Sequence, residues 1–173
     1  MVGAYPVAIR LIQGECVFAG YWQRPQATAE ALRGGWFHTG DIATADADGY
    51  YTLVDRKKDM INNGGLKVWP REVEEVLYRH PTVREAAVVA LPDPYAGERP
   101  LAFVALRPGQ RATAEELIAY VAAHLAKFKA PVRIEFRDDL PKLPTGKVLR
   151  RVLRDEARAL APRPLAPGRA PVD

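Results

Sequence analysis

Two apolar runs, Glu85 to Leu91 and Leu101 to Leu106, constrain this chain more than any other feature. Both are β-branched and apolar over the length of a strand, and Pro92-Asp93-Pro94 with Gly97 connects them. Around this pair the pattern turns helical. Pro70 at a first helical position and the spacing of Val73, Val76 and Leu77 predict a helix of about two and a half turns. Thr113-Ala114-Glu115-Glu116 has the form of a capping box, and Leu117, Val121 and Leu125 recur at intervals of four. Val132 to Phe136 is a further strand, and residues 148–160 are a last helix. With a strand at Tyr50 to Val54 after the Asp48-Gly49 turn, the order is strand, helix, strand, strand, helix, strand, helix. That order predicts an α+β fold, a small sheet covered by helices.

The remaining segments are less regular. Val7 to Ile12 reads as a strand, Ala27 to Leu32 as a short helix before the Gly34-Gly35 turn, and residues 55–59 as an exposed, charged link. Pro162 onward is rich in Pro, Arg and Ala without periodicity and is expected to be a disordered tail. At 173 residues and 48% hydrophobic content, the chain has enough apolar material for one ordinary domain plus extra segments. The formal charge of +4 is modest, and Arg150, Arg151, Arg154 and Arg158 supply much of the basic excess near the C-terminus. That cluster reads better as a solvated helix face than as a nucleic-acid surface, because no aromatic residues interleave with it. Cys16 is the single cysteine, which excludes an internal disulfide and a multi-cysteine metal site. His38, His80 and His124 lack metal-ligand spacing, so no metal residue is assigned. No apolar run reaches about 18 residues and no signal peptide is recognisable, so a cytoplasmic protein without a transmembrane segment is expected.

Chemistry is concentrated in Pro141-Lys142-Leu143-Pro144-Thr145-Gly146-Lys147. The prolines restrict the backbone, Gly146 permits a sharp turn, and Lys147 is held at the mouth of the last helix. An ammonium so placed suits phosphate oxygens or a developing oxyanion. Taken alone, the segment fits equally a turn followed by a surface helix.

Two further signatures accompany it: Trp36-Phe37-His38-Thr39-Gly40-Asp41, and Asp55 to Gly65 (DRKKDMINNGG). In this order and spacing the three resemble the C-terminal part of adenylate-forming enzymes, the acyl-CoA synthetase superfamily. The resemblance runs from about Tyr21 to Ala159. The stretch from Gly65 to Leu77 is most similar to fatty acyl-CoA ligases. The resemblance implies a two-step reaction: a carboxylate joins ATP to give an acyl-adenylate, and the acyl group then passes to coenzyme A.

It also implies residue roles. Lys147 contacts the carboxylate and phosphate oxygens during adenylation. Asp41 accepts hydrogen bonds from the ribose hydroxyls of ATP/AMP, Arg56 lies near the ribose and phosphates, and Lys67 can reach phosphate. Lys58 is the hinge about which a small C-terminal domain rotates between the two half-reactions. Gly64 and Gly65 form the loop that enters beside the pantetheine of CoA. Read from the residues alone, Asp41 is also an Asx-turn, Lys67 a solvated strand lysine and Gly64-Gly65 a plain hairpin turn.

The implied organisation is residues 1–54 as the end of a large N-terminal domain (1–20 departing from the family pattern), 55–59 as hinge, 60–160 as the C-terminal α+β domain and 161–173 as tail. No Ser/Thr/Gly-rich phosphate loop and no family Tyr-Gly-x-Thr-Glu segment is found, so the Mg ligands and acyl pocket are expected on the large N-terminal domain. The chain by itself is expected to be inactive, with a fatty or other carboxylic acid and CoA as substrates of the complete enzyme. The competing expectations are a free-standing binding or regulatory module, and an adenylation domain serving a carrier protein.

Overall fold

The computed structural model describes residues 8–161, with side chains from Leu11 onward; residues 1–7 and the expected tail beyond Ala161 lie outside them. The chain divides into two compact units, Met1–Asp59 and Met60–Asp173.

The first unit is a three-stranded antiparallel sheet in chain order: β1 (Ala8–Ile12), β2 (Phe37–Ala45) and β3 (Tyr51–Arg56). A short helix, α1 (Pro25–Ala31), starts on the proline that a first helical turn tolerates. The Asp48-Gly49 signal does close a hairpin: Asp46 Oδ1 accepts from the amides of Asp48 and Tyr50, and Gly49 has φ 84°. A single 3₁₀ turn, Lys57–Asp59, ends the unit.

The second unit is the α+β body that the apolar runs predict. β4 (Ile61–Asn63) and β5 (Leu66–Val68) form a small hairpin, followed by α2 (Pro70–Arg79). The two long runs are β6 (Val83–Asp93) and β7 (Gly97–Leu106), paired antiparallel along their whole length. Then come α3 (Ala114–His124), β8 (Arg133–Phe136), parallel to β7, and α4 (Arg150–Leu160). The sheet order is β5-β4-β7-β6, with β8 also on β7, so β6 is an edge strand. Thr113 caps α3 as its sequence demands: Glu116 N donates to Thr113 Oγ1 at 3.2 Å and Thr113 N to Glu116 Oε2 at 2.8 Å.

Both faces of this sheet are covered, which is why β6 and β7 are apolar at consecutive rather than alternate positions. Ala86, Val88, Ala102 and Val104 face one core with α2 and α3, which contribute Val73, Val76, Leu77, Leu117 and Val121. Ala87, Val89, Leu91, Leu101 and Phe103 face the other, with Leu153 and Ala157 of α4 and Leu140.

Candidate functional site

In the first unit, Asp41 and Arg56 are brought together. They are paired residues of β2 and β3, and Arg56 Nε lies 3.5 Å from Asp41 Oδ1. The expected turn at Asp41 is instead a position within β2, but an irregular one. Gly40 before it has φ 75°, and the register with β3 shifts between Ile42 and Ala43. A glycine in left-handed conformation beside a bulge re-aims the next side chain, leaving the Asp41 carboxylate partly exposed beside a guanidinium. Thr39 Oγ1 accepts from the Asp41 amide at 3.1 Å. Lys58 lies in the 3₁₀ turn that follows Arg56 and is exposed.

In the second unit, Gly64 and Gly65 form the two-residue turn of the β4–β5 hairpin, with φ 59° and 89°. Positive φ at both central residues is what a type I′ hairpin needs, hence the two glycines. A Cβ at either would meet nothing within 4 Å, so packing inside this unit does not require them. The turn is braced from below. Gly65 N donates to Asn62 Oδ1 at 3.0 Å, Gly64 N to the Ala96 carbonyl at 2.9 Å and Asn62 N to Glu98 Oε2 at 2.9 Å. The Asn63 side chain donates to the Phe128 carbonyl at 2.7 Å. The Ala96 loop is itself held by Asp93, whose Oδ1 accepts from Tyr95 N and Ala96 N. Those amides, that of Ala96 first, and then Arg99, hold the Asp93 carboxyl below its usual pKa. Lys67 on β5 is exposed.

Lys147 rides a second tight loop. Lys142 bridges Val148, Leu143 N donates to the Lys147 carbonyl and Gly146 N to the Leu143 carbonyl, each at 2.8 Å. Gly146, at φ 82°, makes the reversal. The Lys147 side chain is exposed, and its ammonium has no ion pair among the described residues. Lys142 on the same loop contrasts with it. Its Nζ lies 2.6 Å from Glu85 Oε1 and 2.9 Å from Asp139 Oδ1. The hydrogen bond to Glu85, then that to Asp139, raises the Lys142 pKa, and Lys142 in turn lowers that of Asp139. One lysine is thus consumed in holding the loop down while the other is exposed.

The two loops stand at different ends of the β6–β7 ribbon. The lysine loop is tied to Glu85, and the glycine hairpin to the connection at Asp93–Gly97. At about 3.3 Å per residue, Glu85 and Asp93 lie roughly 26 Å apart along β6.

The braces escaped the sequence reading: Lys142, Glu85, Asp139, Glu98, and the buried Glu74 with its partner Arg150. One signal was present for Glu74. It shares the inward helical spacing of Pro70, Val73 and Leu77, where an acid needs a partner. Among the described residues no three His, Cys, Asp or Glu side chains gather as a metal site would require. No helix among them is long and apolar enough to cross a membrane.

Known proteins share this architecture. Residues 72–147 match the family described as AMP-binding enzyme C-terminal domain. A long-chain-fatty-acid–CoA ligase of Bacillus subtilis (strain 168) is 47% identical over 146 residues, which are 84% of this chain and 26% of the relative. A feruloyl-CoA synthase of Amycolatopsis sp is 48% identical over 144 residues, 83% of this chain and 29% of the relative. The solved structure of the amide bond synthetase McbA from Marinactinospora thermotolerans superimposes with a TM-score of 0.79 at 40% identity. That match covers 87% of this chain and 31% of that one. The chain therefore spans between a quarter and a third of the length of these proteins. In fold, matched segment and sequence, the chain corresponds to the C-terminal region of an adenylate-forming enzyme.

Proposed function

We propose that this chain is the mobile C-terminal part of an ATP-dependent acyl-CoA ligase, and that its second unit serves the two half-reactions with two different loops. The observation that carries this reading is the contrast within the lysine loop. A doubly anchored hairpin presents one ammonium without an ion pair among the described residues, while the neighbouring ammonium is spent on anchoring. When a carboxylate meets ATP, two anions must approach, and Lys147 offsets their repulsion at the oxygens where charge develops. Asp41 and Arg56 hold the nucleotide: the carboxylate accepts from the ribose hydroxyls while the guanidinium turns to phosphate. Lys67 adds a further cation toward phosphate. Magnesium accompanies the ATP phosphates, with ligands outside this chain.

Gly64 and Gly65 serve the second half-reaction. Without side chains, their turn lets backbone approach the pantetheine thiol of CoA. The separation of the two loops along β6 supports a domain that rotates about Lys58 to offer first one and then the other to a single centre. A large N-terminal adenylation domain is the partner that supplies that centre. A fatty acid is the carboxylate of first choice, from the similarity to the Bacillus subtilis ligase, and the cytosol is the compartment this chemistry calls for.

The test is a double dissociation. A hybrid enzyme would join this chain to the large domain of the Bacillus subtilis relative, and each half-reaction would be measured alone. Lys147→Ala is expected to lower adenylation by about 10²–10³, leaving thioester formation from supplied acyl-adenylate near the parent rate. Gly65→Leu, whose Cβ would meet nothing within 4 Å in this unit although φ of 89° strains it, is expected to do the reverse. Equal losses in both half-reactions for both variants would sink the reading.

A further inference from the structure

Glu74 is the one charged residue buried among the described side chains, and what it binds lies immediately beyond the lysine loop. Its Oε2 meets Arg150 Nη2 at 2.6 Å and its Oε1 accepts from Val88 N at 2.7 Å. Arg150 Nη1 completes the ring by donating to the Val88 carbonyl at 3.0 Å. Both groups therefore grip the same residue of β6. Because β6 is the edge strand, its outward N–H and C=O groups have no strand to pair with, and this pair covers those of Val88. Glu74 comes from α2 on one face of the sheet and Arg150 from the start of α4 on the other. The pair clasps the edge of the sheet.

Arg150 is also the first residue of α4, and Lys147 is three positions before it. Between them, Leu149 N donates to the Pro141 carbonyl at 2.8 Å, closing the base of the loop. The loop thus has two fixed ends. Lys142 holds its entry to Glu85 and Asp139, while Arg150 holds its exit to Val88 and Glu74.

We infer that Glu74 and Arg150 are positioning residues for adenylation: their clasp on Val88 sets where the Lys147 ammonium stands. This rests on the adenylation role proposed for Lys147. A buried ion pair is weak evidence for stability as such, because two apolar residues often fill the same space as well. A planar fork that fixes direction to both a carboxylate and a carbonyl is the part an apolar pair does not reproduce. Displacing a reacting group by about 1 Å can cost on the order of a hundredfold in rate.

Arg150→Lys keeps the charge opposite Glu74 but gives up the fork. In the hybrid enzyme its adenylation rate is expected to fall about ten- to a hundredfold. The KM values for ATP and acid should stay within about twofold, the mark of an interaction felt in the transition state. Thioester formation from supplied acyl-adenylate should be unchanged. Placed on a Lys147→Ala background, Arg150→Lys should cost nothing further, since a positioning residue acts only through the group it positions.

Glu74→Met with Arg150→Met leaves no unpaired buried charge and guards against a variant that does not fold. It should stay folded and yet remain slow in adenylation. Adenylation by Arg150→Lys or by the double variant at the parent rate would overturn the inference, as would a loss that persists undiminished without Lys147. If Lys147→Ala alone left adenylation intact, the functional reading would fail first, and amide hydrogen exchange in the 173-residue chain would still decide the clasp. Leu143, Gly146 and Leu149 should exchange about tenfold faster in the double variant while the β6–β7 core stays protected. Parent-like protection of those three amides would refute it.

Discussion

Lys142 and Lys147 share a loop, a residue type and a sequence motif, yet the structure gives them opposite fates. Lys142 is held between two carboxylates and Lys147 has none among the described residues, which makes the first a brace and the second a candidate for chemistry. The brace has a defined pH window. The Asp139 pKa is lowered, so its contribution is complete above the unfolded value of about 3.9 and is lost as pH falls through the lower folded value. The Lys142 pKa is raised, so its contribution is complete below about 10.4 and is lost as pH rises through the higher folded value. Hydrogen exchange at Gly146 and Leu149, corrected for its intrinsic pH dependence, should therefore report a closed loop across the whole neutral range. Lys142→Met should open it at neutral pH. Loop opening near pH 7 in the parent chain would mean that another group holds it.

At the scale of elements, the glycine hairpin depends on the β6–β7 connection beneath it. Glu98 accepts the Asn62 amide, so Glu98→Ala removes a charge-assisted bond of about 1.5–3 kcal/mol, less what water returns to an exposed site. Thioester formation in the hybrid enzyme should fall several-fold while adenylation holds, and Glu98→Gln should recover most of the loss. An equal drop in both half-reactions would show that Glu98 supports the unit as a whole. These elements were not equally legible in the sequence. β6, β7, α2, α3 and α4 announced themselves because burial forces apolar periodicity, and the Thr113 cap and Pro70 start are local chemistry. β2, β4 and β5 did not. Phe37–Ala45 carries a glycine and a bulge where alternation would be, and β4 and β5 are three residues each, too short to show a period. The motif residues were found by resemblance. Their supports were not, since Lys142–Glu85 and Arg150–Glu74 join positions far apart in sequence and are matched only by folding.

On the scale of the whole molecule, the chain parts into two units after Asp59, and the segment at the boundary is a single 3₁₀ turn, Lys57–Asp59, with both lysines exposed. No apolar residue lies in that turn and none of its residues belongs to either hydrophobic core, so changing its backbone exposes no core. Such a segment can adopt a second conformation at low cost, which is what the proposed rotation asks of Lys58. A 3₁₀ turn has φ of about −50 to −70°, and proline is confined near −65°, so Lys58→Pro suits φ at position 58 of such a turn and opposes other values there. It also biases Lys57, the first residue of the turn, away from helical and toward extended backbone, so the mutant linker has fewer conformations open to it. In the hybrid enzyme one half-reaction should therefore continue near the parent rate while the other falls at least tenfold, a difference of about 1.4 kcal/mol in barrier. Which one survives identifies the arrangement that the proline-restricted backbone serves. Lys58→Ala separates the backbone from the charge: it removes the ammonium without restricting φ and should leave both half-reactions within about threefold of the parent. Parent rates in both half-reactions for a folded Lys58→Pro enzyme would place the pivot elsewhere and leave Lys58 a surface lysine.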